Sequence, residues 1–329
     1  MSAFEMGGGG GKSNCRAESL RPPDGTLDWR DLRCTDTYTD TTAGTHVRSV
    51  AIAGDVVVSG YSDNTVKVWQ ISTGSCIKTL TGHTRDVVSV AIAGDVVVSG
   101  SRDGTVKVWQ ISTGSCIKTL THTHKDWDWV RSVAIDGDLV VSGSDDRKVK
   151  VWQISTGSCI KTLKGHRLSV YSVAIAGDVV VSGSADGDVK VWQISTGSCI
   201  KTLTEHYCGV NCVAIDGDVV VSGSGDRTVK VWQISTGSCI KTLTGHTDMV
   251  YSVAIAGDVI VSGSRDETAK VWQISTGSCI KTLTGARGLA YYLSFFSKRN
   301  YVYSVAIAGD VVVSSYANTV KVWSKSHLV

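Results

Sequence analysis

GHTRDVVSVAIAGDVVVSGSRDGTVKVWQISTGSCIKTLT, residues 82–121, is the stretch that decides the fold. Close copies of it run through the chain, and their shared tryptophan recurs at Trp69, Trp109, Trp152, Trp192, Trp232, Trp272 and Trp323. The spacings are 40, 43, 40, 40, 40 and 51 residues. A period near 40 marks an array of small supersecondary units, each too small to bury its apolar faces without a neighbour.

Within one unit, SVAI (Ser89–Ile92) reads as strand a and is followed by an Ala-Gly hairpin signal. VVVSG (Val96–Gly100) reads as strand b; its β-branched run suits a strand covered on both faces. After an Asp-bearing turn, TVKVWQI (Thr105–Ile111) is strand c, STGS is a turn, and CIKTL (Cys116–Leu120) is strand d. Four antiparallel strands repeated seven times predict an all-β protein, a seven-bladed β-propeller of four-stranded antiparallel blades around a central channel. Residues 1–28 are expected to form a flexible Gly-rich tail, and residues 29–329 the propeller. The last unit ends at SKSHLV (Ser324–Val329), soon after strand c.

Composition narrows the function classes. A chain of 329 residues, 42% hydrophobic, can bury a large core. No apolar run approaches the length of a membrane span, and the start lacks a charged segment followed by an apolar one. The expectation is a cytoplasmic or nuclear protein with no membrane partner. Six of the ten cysteines (Cys76, Cys116, Cys159, Cys199, Cys239 and Cys279) share one repeat position on separate strands. They are expected to be reduced, unbridged and to act as small apolar fillers. The net charge is +3, and the Lys of KVW and of CIKTL supplies basic residues evenly around the array. That pattern is not a nucleic-acid footprint.

The His of GH, the Asp after SGS and the Trp of KVW resemble WD40 repeats over about residues 29–329, with Gln or Ser following the Trp where the family has Asp. The compact a–b turn, the TGSCIKTL wording and DWRDL (Asp28–Leu32) are most similar to the propellers of F-box/WD proteins. The resemblance implies a hydrogen-bonded His–Ser–Asp–Trp network in each blade, and for the last blade a closing fourth strand from the N-terminal side, within Leu32–Thr42. Four units match in full: His83, Ser99, Asp103, Trp109; His166, Ser182, Asp186, Trp192; His206, Ser222, Asp226, Trp232; and His246, Ser262, Asp266, Trp272. The first unit has His46 only three residues before Ser49, and the third has His122 and His124 flanking the usual place. The seventh has Ala286 for His and a short turn, Ser315–Asn318, without Asp, so it is expected to be the least stable blade. These sets mimic catalytic triads, but recurrence in blade after blade with a Trp attached argues for structure.

Two further motifs fail on chemistry. GGGGGKS (Gly7–Ser13) has Met6 where a phosphate-binding loop needs Gly. His206, Cys208 and Cys212 match no zinc spacing. No catalytic residue, metal or cofactor is expected, and the chain is not expected to be an enzyme.

In a meander the a–b and c–d turns share one face, and the b–c and d–a turns the other. The first set, AGD or DGD and STGS, is nearly constant; the second varies freely, as in TRDVV, KDWDWVR, RLSVY, YCGVN and TDMVY. Nine of the ten tyrosines fall on or beside the variable face, Tyr61 and Tyr316 among them. Tyr, Trp and Arg dominate binding hot spots. The position before strand a, Arg48, Val88, Arg131, Tyr171, Asn211, Tyr251 and Tyr303, should ring the channel mouth, with Arg102, Arg265, Trp127 and Trp129 beside it. Arg forks suit carboxylates and phosphates. The expected function is a protein- or peptide-binding scaffold, monomeric within larger complexes, whose ligands are other proteins or acidic or phosphorylated peptides. The F-box/WD resemblance implies a substrate receptor for a ubiquitin ligase, with the F-box supplied elsewhere. A signalling scaffold of the G-protein β type is the remaining alternative. The long loop Arg287–Ser304, with Tyr291, Tyr292, Phe295 and Phe296, is a partner-binding lid, an apolar patch, or an accident of duplication or gene assembly.

Overall fold

The structure, a computed structural model, describes residues 28–39, 45–122, 128–285 and 300–325. The Gly-rich tail, His124, Trp127, Ala286 and most of the 287–304 loop lie outside the described residues. The described strands form seven four-stranded antiparallel sheets. In the first blade strands a to d are Val47–Ala53, Val56–Tyr61, Val66–Gln70 and Ser75–Leu80, and the next five blades repeat this order.

Each core belongs to a seam and not to a blade. Val58, Val66, Val68 and Leu80 of the first blade pack on Val87, Val90, Val97 and Trp109 of the second. Seven such clusters account for seven seams, including one between the last blade and the first. The Gly of strand b makes this approach possible: a Cβ on Gly100 would stand 2.8 Å from Val130 Cγ1 of the next blade.

The innermost strands have no sheet partner toward the channel, so their backbone donors need other acceptors. A hydroxyl of the preceding blade serves. Ser49 Oγ accepts from Val90 N at 3.1 Å, and Ser89, Ser132, Ser172 and Ser252 do the same for Val133, Val173, Val213 and Val305 at 3.0 Å. Ser304 completes the circuit by accepting from Val50 N at 3.0 Å. Cys212 interrupts it, because its buried thiol turns to Gly223 O. Two other bonds cross that same seam: Asn211 Nδ2 donates to Val250 O at 2.9 Å, and Gly257 N to Asp216 Oδ2 at 2.8 Å.

The fourth strand of the seventh blade is Arg33–Thr39, which pairs antiparallel with Thr319–Ser324. Cys34 lies opposite Trp323 as Cys76 lies opposite Trp69, so RCTDTYT occupies the register of a strand d. Tyr38 takes the place of Leu80 and stacks on Trp69, with centroids 5.1 Å apart. The preceding DWRDL forms a short 3-10 turn, Trp29–Asp31, capped by Asp28; Leu32 is buried behind it, and Lys325 Nζ stands 3.7 Å above the Trp29 ring.

Five of the six repeated cysteines are not fillers; Cys239 packs partly against the seam between the fourth and fifth blades. Cys76, Cys116, Cys159, Cys199 and Cys279 are exposed and Cys239 is half-buried; all are free. Strand d is the outermost strand, so nothing packs over its outward positions. Each thiol is instead bonded to the carbonyl two residues on, as Cys116 is to Lys118 O at 3.2 Å.

Candidate protein-binding face

The variable face is anchored from below by the polar networks. In the second blade His83 joins Asp103 through Nδ1 and Ser99 through Nε2, both at 2.8 Å, and Trp109 Nε1 donates to Ser99 Oγ at 2.8 Å. His166, His206 and His246 repeat the arrangement. In the third blade His122 takes the role with its ring turned over, Nδ1 to Ser142 at 2.7 Å and Nε2 to Asp146 at 3.3 Å. These serines are fully buried and bonded to indole, so no substrate can reach them.

The first and last blades use tyrosine. Tyr61 accepts from Ser59 Oγ at 3.1 Å, and Trp69 Nε1 donates to the same hydroxyl at 2.8 Å. Trp323 Nε1 donates to Ser314 Oγ at 2.7 Å, with Tyr316 buried beside it. Tyr61 and Tyr316 are therefore core residues and not part of the binding face: Tyr61 is 0% exposed and Tyr316 3%. A phenol fills the room that an imidazole occupies elsewhere.

The Asp of each network does two jobs. Burial works against its ionisation, but the bonds from His83 and Thr105 outweigh this and hold the Asp103 carboxyl well below the usual carboxylate range. Asp146, Asp226 and Asp266 behave alike. Asp103 also accepts from Thr84 N and Thr105 N, which joins the d–a loop to the b–c turn. The residues above that joint are thereby fixed in place.

Above it the predicted residues meet in an arc. Asp86 binds both Arg48 (3.3 Å) and Arg102 (3.2 Å). Arg131 Nε donates to both oxygens of Asp145, at 2.9 and 3.0 Å. Arg102 and Arg131 each lie over Trp129, and Arg131 also lies over Tyr171. In the other direction Arg48 lies over Tyr303, which stacks on Tyr251 with centroids 5.8 Å apart. Tyr301 stands edge-on to both tyrosines, and Arg265 Nε donates to its hydroxyl at 3.3 Å. Asn211 is occupied by its bond to Val250 O. Among these groups four guanidinium ions face three carboxylates, Asp86, Asp145 and the Asp248 partner of Arg265, and Arg48 Nε, Arg102 Nε and Trp129 Nε1 are buried without a hydrogen-bond partner. Along the innermost strands that carry Arg48, Arg131, Tyr171, Tyr251 and Tyr303 runs a channel of about 310 Å³ lined by Val50, Ala51, Ile52 and their equivalents in every blade.

Asp86 and Asp145 belong to the arc although reading the sequence did not single them out, and Tyr301, one of the tyrosines of the variable loops, joins it. Arg48 and Asp86 are 38 residues apart and sit in different repeats, so spacing gave no signal. His206 and Cys212 do not share a site: the imidazole is spent on Asp226 and Ser222, and the thiol is buried against Gly223.

These features define a class: a repeat-built propeller with structural polar networks and an individual face suited to interaction. The family model for the WD domain, G-beta repeat, matches residues 32–70, 74–110, 114–153, 157–193, 197–233 and 237–273, and the chain belongs to the WD40 family. Curated relatives match over short stretches. The Ribosome biogenesis protein BOP1 homolog of Drosophila grimshawi is 56% identical over 44 residues, 13% of this chain and 5% of that protein. Myosin heavy chain kinase C of Dictyostelium discoideum is 33% identical over 60 residues, 18% of this chain and 8% of that protein. The chain thus spans a small fraction of the relatives it matches. The crystal structure of the computationally designed Ika8 protein superposes with a TM-score of 0.66 at 30% identity, covering 87% of this chain and 98% of that one. No helix among the described residues is long and apolar enough to cross a membrane.

Proposed function

We propose that this propeller is a non-enzymatic scaffold that binds an acidic or phosphorylated segment of another protein across the mouth of its channel. One observation carries the reading: Arg48, Arg102 and Arg131 come from three successive blades into one arc in which cations outnumber carboxylates. Guanidinium forks favour carboxylate and phosphate oxygens. Tyr171, Tyr251, Tyr301 and Tyr303 flank them and supply rigid contact area. Such a scaffold suits a cytoplasmic or nuclear protein working inside larger complexes.

The test is fluorescence anisotropy with arrayed peptides in matched phosphorylated, acidic and basic forms. Wild type should select the anionic forms, and Arg48→Ala/Arg102→Ala/Arg131→Ala should lose that selection with an unchanged melting curve. Equal binding of all three forms by wild type removes the reading.

A narrower reading is a substrate receptor for ubiquitin ligation. The TGSCIKTL and DWRDL resemblance favours it together with the arginine arc. Recovery of ligase subunits with wild type, from cells in which the arginine variant recovers the same subunits but fewer other proteins, would support it. Their absence from both would exclude it.

A further inference from the structure

Trp129 stands two residues before Arg131, at the end of the loop that leads into the third blade. The guanidinium carbons of Arg102 and Arg131 each lie 4.5 Å from its ring centroid. Single arginine–ring contacts elsewhere in the arc are longer, 5.8 Å for Arg48 on Tyr303 and 5.4 Å for Arg265 on Tyr301. Two like charges beside one ring repel each other, and the negative π face is what offsets that repulsion. Asp86 holds Arg102 from one side and Asp145 holds Arg131 from another. Neither carboxylate lies within ion-pair distance of both arginines, although the charge of Asp145 also acts on Arg102, so the indole is the one group in described contact with both.

We infer that Trp129 is a positioning residue: its indole face holds the forks of Arg102 and Arg131 as a fixed pair, so that one multiply charged anionic group meets both at once. The inference rests on the anion-binding reading above. It assigns to the ring a role that differs from direct contact with a ligand. Trp129 Nε1 is buried and has no hydrogen-bond partner, so the ring acts through its face and not through its N–H.

An inorganic probe separates these roles. Tripolyphosphate has no apolar part and is repelled by a π face, so it reports the arginines alone. Its binding is measured by calorimetry for wild type, Trp129→Leu, Trp129→Phe and Arg102→Ala/Arg131→Ala, with orthophosphate as the small-anion control. The double arginine variant should lose tripolyphosphate binding. Trp129→Leu should weaken it about fivefold, and Trp129→Phe, which keeps a face and loses the N–H, should stay within about twofold. Orthophosphate engages one fork at a time and should respond to neither Trp129 variant. Should Trp129→Leu melt early, Trp129→Met carries the same test.

Wild-type affinity in Trp129→Leu, alongside lost binding in the double arginine variant, overturns the positioning role and leaves the anion site standing. A Trp129→Phe defect equal to that of Trp129→Leu also overturns it, since the N–H would then matter. Failure of wild type to bind tripolyphosphate, or undiminished binding by the double arginine variant, removes the anion reading and the inference with it.

Discussion

The two faces of the ring are tied together by the same residue type at different depths, and depth decides which face can specialise. On the uniform face an exposed Asp of the a–b turn takes both the N–H and the hydroxyl of the Ser that opens the c–d turn. Asp95 holds Ser112 in this way at 2.9 and 2.6 Å, and five other blades repeat the pair. On the variable face the tie is the Asp of the His network, whose side chain in the second blade is only 8% exposed. A knot at the surface locks the surface sequence. A knot beneath it leaves the residues above free to change, and TRDV, RLSV, YCGV and TDMV are the result.

The largest expected effect tests the buried knot. His166→Ala removes the partner of Asp186, whose side chain is 2% exposed, and should destabilise by about 3 kcal/mol in urea unfolding. A much smaller loss would mean that the network is ornamental.

Acid should undo the same face next. Burial lowers the pKa of His122 and His166, so the unfolded chain takes up protons that the folded one refuses as pH falls through about 6.5. Stability should decline from there. It should decline further once pH drops below the ordinary carboxylate range, where Asp103, Asp146, Asp226 and Asp266 are still ionised only in the folded state. Melting temperatures measured across the acid range check this; a flat profile between neutrality and pH 5 contradicts the histidine part.

On the opposite face Asp178→Ala breaks two bonds to Ser195, yet the carboxylate is solvated and its loss leaves no buried charge. Its melting shift should be clearly smaller than that of His166→Ala. An equal shift would erase the distinction of depth. The smallest effect belongs to the residues above the buried knot. Exchanging Arg167-Leu168-Ser169 for Thr-Asp-Met, the sequence found at Thr247–Met249, should change stability by no more than about 0.5 kcal/mol. A larger loss in denaturant titration would show that these loops carry structure.

The fold was legible because a 40-residue period with a fixed Trp admits few architectures, and because four polar sets recur intact. What escaped was decided across blades. THTHK offers two histidines, and it is across blades that the turned ring of His122 reaches Ser142 and Asp146. SGY and SSY put an aromatic beside a turn, which reads as a surface residue. Tyr61 and Tyr316 are buried because those blades lack the imidazole that would otherwise sit beside Ser59 and Ser314. The exposure of the repeated cysteines follows from strand d being outermost, which alternation along a strand does not reveal. Arg48 with Asp86 and Arg102 with Trp129 join different repeats, so no local pattern announces them.

The circuit of serine hydroxyls around the channel has an orientation, each one serving the blade that follows it. Where Ser304 serves Val50, no nearby peptide linkage connects donor and acceptor, yet the bond is as short as its sisters. The polypeptide's own endpoints are thus invisible to the innermost ring. A circular permutant opened between any two blades would inherit the same set of inward bonds, with Asn211 and Asp216 serving the joint at which Cys212 breaks the serine circuit.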